Sequence, residues 1–171
     1  VKDVRFFAVD VRTGKVLKVA KEGFDRYAIF ARSTGCVYWE GKKYDPRTNA
    51  ITRSAVPHVR SATIETADGR VYGTSHRSAA LWKFDTRTEK ITQLGEGAVG
   101  TQGYVTAIHI DPGGRYLYYI PGAHGGASKD GTPIVQYDTK TGTRKVLAFL
   151  HAFFRDRYRY NLDGCFCSVL G

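Results

Sequence analysis

The sequence predicts an all-β chain built from repeated four-stranded units, and three observations carry that prediction. One turn pattern recurs four times, a second recurs between its copies, and no window sustains a helical period of apolar residues. The 171 residues are 42% hydrophobic and 25% charged, enough apolar surface for a core and too little charge for a disordered chain. No apolar run approaches the ~20 residues of a membrane span.

The first pattern reads apolar or aromatic, Asp, any residue, Arg or Lys, Thr. Its copies are Val9-Asp10-Val11-Arg12-Thr13, Tyr44-Asp45-Pro46-Arg47-Thr48, Phe84-Asp85-Thr86-Arg87-Thr88 and Tyr137-Asp138-Thr139-Lys140-Thr141, with the aspartates 35, 40 and 53 residues apart. Asp accepts hydrogen bonds from amides two or three residues on, and Gly14, Asn49 or Gly142 can take the left-handed position that closes a hairpin. Turn formation therefore accounts for these aspartates without a ligand. Alternating apolar residues flank each copy, as in Phe6 to Val9 before and Val16 to Val19 after the first. The second pattern runs through Ser33-Thr34-Gly35, Asp68-Gly69 and Pro112-Gly113-Gly114, each between apolar alternations, and a fourth copy begins at Asn161-Leu162-Asp163-Gly164.

Two hairpins per unit make four antiparallel strands, A to D, in ~40 to 45 residues, the signature of a β-propeller blade. Residues 1–20 are expected to close one blade, 21–57, 58–98 and 99–150 to form three, and 151–171 to begin another, as part of a six- to eight-bladed ring. The start at Val1 and the end inside an apolar run point to a fragment of that ring. Strands left open at such ends favour self-association.

The net charge of +10 is weighted toward residues 1–57, but the basic residues are scattered over turns and strand faces, so nucleic acid is not the expected partner. Cys165 and Cys167 are neighbours on one strand face and Cys36 is distant, which favours free thiols over a disulfide or a four-ligand metal set.

Across nearly the whole chain the alternating Asp-x-x-Thr-Gly and Asp-Gly-x-aromatic hairpins resemble the propellers of the streptogramin lyase, SMP-30/gluconolactonase and NHL (YVTN-like, WD40-like) type. The resemblance implies an extracellular or periplasmic protein and leaves a divalent metal open as cofactor. Asp10 to Lys15 and Asp138 to Gly142 also resemble the quinoprotein repeat. That repeat places a docking tryptophan soon after its Thr-Gly, whereas Trp39 and Trp82 lie elsewhere, so pyrroloquinoline quinone is not expected.

If hairpins A–B and C–D share one rim, the B–C and D–A connections share the other, and four of five histidines fall there. His76 and His124 lie on B–C connections and are the catalytic candidates; His58 and His151 lie on D–A connections; His109, inside a strand, reads as a satisfied core histidine. The long connection from Pro121 to Gly131 adds His124, Ser128, Lys129 and Asp130 as ligand-binding candidates, and the segment from Phe153 to Tyr160 adds Arg155, Arg157 and Tyr158 among aromatics suited to anions or stacked rings. Two functions remain: a binding or scaffold module holding a small molecule or protein on this loop face, or a metal-assisted lyase or lactone hydrolase using the loop histidines.

Overall fold

The computed structural model describes residues 5–21, 23–24, 26–122, 127–159, 165 and 168–170. Among these described residues, fourteen strands are arranged as one two-stranded and three four-stranded antiparallel sheets. The first sheet pairs β1 (Phe6–Val9) with β2 (Val16–Ala20). The second runs β3 (Ile29–Phe30), β4 (Val37–Trp39), β5 (Lys42–Asp45), β6 (Ala50–Arg53). The third runs β7 (Val59–Ala62), β8 (Arg70–Ser75), β9 (Ala80–Asp85), β10 (Lys90–Glu96), and the fourth β11 (Val105–Ile110), β12 (Tyr116–Pro121), β13 (Pro133–Asp138), β14 (Arg144–Phe149). Every four-stranded sheet is a meander in which each strand pairs with its sequence neighbours.

The aspartates close the turns as their local chemistry requires. Asp10, Asp45, Asp85 and Asp138 accept the amide two residues on, at 2.8, 2.9, 3.0 and 2.8 Å. The closing positions are left-handed, filled by Gly14, Asn49, Glu89 and Gly142. Glu89 tolerates that conformation while its carboxylate binds the Lys43 ammonium and accepts the Tyr38 hydroxyl at 3.1 Å, tying the third sheet to the second.

The period of two along the strands places the core between sheets rather than within one. On β8, Val71 faces the second sheet with Ile29, Tyr38, Trp82 and Phe84, while its neighbour Tyr72 faces the fourth with Leu81, Val105, Leu117 and Tyr119. Likewise Tyr38 packs toward the third sheet and Trp39 toward the first, where the indole stacks on Phe6 at 4.8 Å. Each four-stranded sheet is thus a layer stacked face to face on its neighbours in chain order. Full burial of one such aromatic or aliphatic side chain contributes ~1.5–3 kcal/mol. Cys36 is a buried free thiol in this packing; Cys165 is half-buried, its carbonyl accepting the Thr106 hydroxyl at 2.9 Å, and Cys167 lies outside the described residues.

One element departs from the all-β expectation. Leu150–Tyr158 forms a helix, α1, directly after β14, in the segment read as a D–A connection. It has no side-chain N-cap; instead the amides of Leu150 and His151 donate to the carbonyls of Thr132 and Gly131 at 3.1 Å, so the preceding connection caps it. Phe154 and Tyr158 meet at i, i+4 with ring centroids 5.7 Å apart, and Arg159 closes the helix in the left-handed conformation. None of its residues is buried, which is why no apolar stripe marks it in the sequence. The hairpin expected at 161–164 lies outside the described residues. Among those described, no helix is long and apolar enough to cross a membrane.

Candidate ligand site on the loop rim

The hairpins β1–β2, β3–β4, β5–β6, β7–β8, β9–β10, β11–β12 and β13–β14 turn at one rim, and the connections β4–β5, β8–β9, β12–β13, β2–β3, β6–β7 and β10–β11 turn at the other. The second rim brings His58 and His76 together. Their rings stack at 4.6 Å with 26° between planes, and the His76 amide donates to the His58 carbonyl at 2.7 Å, extending the β7–β8 ladder by one bond. Glu40 sits in the two-residue turn Glu40–Gly41, where both residues have positive φ as a type I′ hairpin demands, and its Oε1 lies 3.3 Å from Nε2 of His58. The cluster can hold or pass a proton between a carboxylate and an imidazole.

His76 also lines a pocket of about 220 Å³ with Arg26, Arg60, Arg77 and Tyr104. Arg26 precedes β3, Tyr104 precedes β11, Arg77 follows His76 after β8, and Arg60 lies in β7. The β7–β8 register slips between Val59 and Ser61, so Arg60 occupies a bulge between two buried residues and points away from the core. Its guanidinium lies over the Tyr104 ring at 5.3 Å. Arg77 is left-handed (φ 59°), a conformation that costs a non-glycine residue of order 1 kcal/mol or more. Beneath the pocket Ser61 and Thr74 hydroxyls both donate to the Val105 carbonyl, at 3.0 and 3.2 Å, and fix the third sheet against the fourth.

A larger groove, about 810 Å³, runs along β7 and β11 toward the hairpin rim and is lined by Ile64, Glu65, Asp68, Ile108, His109 and Asp111 among others. Its carboxylates already have structural partners. Glu65 accepts Ser33 and Thr86 hydroxyls at 2.6 Å, and Asp111 accepts the amides of Gly113, Arg115 and Tyr116. His109 is half-buried rather than satisfied: its Nε2 is enclosed with no hydrogen-bond partner among the described residues.

The other expected site residues are dispersed. Asp130 accepts the Thr101 amide and hydroxyl at 2.9 Å and the Gln102 amide group at 3.2 Å. Burial would raise its pKa, but these donors prevail and lower it, so the carboxylate joins the β12–β13 and β10–β11 connections. Ser128 and Lys129 belong to the 3₁₀ turn Ala127–Asp130, with Lys129 exposed. His124 lies outside the described residues. His151 lies in the first turn of α1; further along, Arg155 pairs with Asp156 at 2.8 Å, and Arg157 lies over Phe153 and Tyr158. Among the described residues no three His, Cys, Asp or Glu side chains converge as a metal set. Arg26, Arg60, Arg77, Tyr104 and Glu40 escaped sequence reasoning; the one local signal was a basic residue between Val59 and Ser61 in an otherwise buried strand.

The layered four-stranded meanders recur in solved structures. The chain superposes on a puromycin-hydrolyzing peptidase of Mycobacterium tuberculosis with TM-score 0.56 and 16% identity, covering 86% of this chain and 25% of that one. An auxiliary nutrient binding protein from Bacteroides ovatus gives 0.54 and 14%, covering 85% and 36%. A chain of a nidogen/laminin complex gives 0.52 and 12%, covering 86% and 58%. The fold is a β-propeller. The chain spans a quarter to just under three-fifths of these neighbours, and at such identities the likeness establishes the propeller without selecting the streptogramin lyase, SMP-30 or NHL type. No protein-family model matches the chain, and no curated protein does.

Proposed function

We propose that this propeller is a ligand-binding module whose site is the loop-rim pocket between the second, third and fourth sheets. The observation behind this reading is the convergence of Arg26, Arg60, His76, Arg77 and Tyr104, from four separate stretches of chain, on one cavity. A pocket of about 220 Å³ suits a small molecule or one side-chain-sized group of a partner. The rigid sheets hold its walls, and the bulge at Arg60 and the left-handed Arg77 re-aim side chains into it.

Ligand-observed NMR on the 171-residue chain with a mixed library of small neutral, anionic and cationic molecules tests the reading. Ligands should lose their signal changes in Tyr104→Ala and retain them in Asp10→Ala on the hairpin rim. Ligands indifferent to Tyr104→Ala, or none at all, would overturn the assignment.

A further inference from the structure

We infer that the loop-rim pocket is an oxyanion site whose ligand carries a compact, doubly charged tetrahedral group, a phosphate or sulfate. The inference rests on the binding reading above and adds the ligand's chemistry. Three of the five lining side chains are guanidinium groups, a fourth is an imidazole, and none is a carboxylate. Arg60 and Arg77 bring two guanidinium charges to so small a volume, where like charges repel each other and a bound anion relieves that repulsion. The geometry suits an oxyanion over a mere excess of charge. The Arg60 guanidinium lies over the Tyr104 ring at the pocket wall, and a guanidinium placed there can grip phosphate in a fork.

Glu40 on this rim does not line the pocket; it faces His58, whose ring in turn stacks on His76. Its carboxylate is thereby engaged outside the cavity, while His76 and the arginines front it. Arg77 supplies the second guanidinium from a left-handed position whose conformational cost glycine would avoid.

Isothermal titration at constant ionic strength, with chloride as the supporting anion, supplies the test. Sulfate and inorganic phosphate should bind saturably, and Arg60→Ala should weaken both by about tenfold or more, with Arg60→Lys recovering only part of the loss because a point charge replaces a fork. Arg77→Gly separates binding from folding: its thermal midpoint should be no lower than the parent's while sulfate affinity falls. Arg12→Ala on the hairpin rim should bind as the parent does. Glycerol 3-phosphate distinguishes the sources: tighter binding than inorganic phosphate identifies a phosphate ester, equal binding the free ion, and either supports the oxyanion. If a neutral molecule binds through Tyr104 and sulfate does not, the oxyanion inference falls while the binding module stands. If nothing binds at Tyr104, both fall. Sulfate binding unchanged in Arg60→Ala and Arg77→Gly also overturns the inference.

Discussion

The two rims of this propeller use the same polar alphabet for opposite purposes. On the hairpin rim the carboxylates of Asp10, Asp45, Asp85, Asp111 and Asp138 are each bonded to amides of their own turn, and Glu65 ties Ser33 of the second sheet to Thr86 of the third. On the loop rim the connections carry arginines, histidines and Tyr104 that gather around a cavity, and the turns there are closed both by backbone bonds such as His76 to His58 and by varied side chains such as Ser54, Ser78 and Asp130. Repetition thus marks what the fold consumes, and departure from repetition leaves the residues on which the proposed ligand site draws. The hairpin-rim aspartates recur because every blade needs the same turn. The pocket residues follow no repeat and come from four separate stretches of chain.

The comparison predicts a hierarchy of effects. The largest belongs to the layer beneath both rims. Trp82 is fully buried between the second and third sheets, with β8 so close that a Cβ on Gly73 would run into the indole and the Ser61 carbonyl. Trp82→Ala should cost about 3–5 kcal/mol in chemical denaturation and abolish binding together with folding. If binding survived at full affinity in this variant, the pocket would not depend on the stacked sheets at all.

A smaller effect separates the rims. Glu65→Ala removes hydrogen bonds at 2.6 and 2.8 Å to Ser33 and one at 2.6 Å to Thr86. The loss should be about 1–2 kcal/mol, discounted because the site is partly open to solvent. Sulfate affinity at the opposite rim should stay within about twofold of the parent. A large change in affinity would show that the two rims are coupled through β7 and β8, and the division drawn between them would then be wrong.

Legibility in the sequence followed the range of the interaction. The Asp hairpins were readable because the bonds span two or three residues, and four-stranded blades followed from counting hairpins. His58 and His76 could be assigned to one rim from strand order, but their stacking depends on how β6–β7 leads into β7–β8, which no local pattern encodes. The pocket was opaque for the same reason: Arg26 and Tyr104 are distant in sequence and meet only after three sheets stack. Helix α1 was missed because its first amides are capped by Gly131 and Thr132 carbonyls rather than by a Ser, Thr or Asp, and because it buries no face.

The smallest predicted effect is a pH response confined to the hairpin rim. The Arg115 guanidinium donates to Asp138 at 2.8 Å and, with the amides of Lys140 and Thr141, brings its carboxyl to about 2 against the opposing influence of burial. An aspartate ordinarily titrates near 3.8, so the folded chain holds this group ionised where the unfolded chain would protonate it. Its contribution to stability is therefore complete above about pH 4 and is lost as the pH falls from there through about 2. Asp138→Asn should flatten that part of the stability profile, measured by urea denaturation between pH 2 and 5, and leave the profile near neutrality parallel to the parent's. A profile equally steep with and without the Asp138 carboxylate would assign the acid sensitivity to other groups.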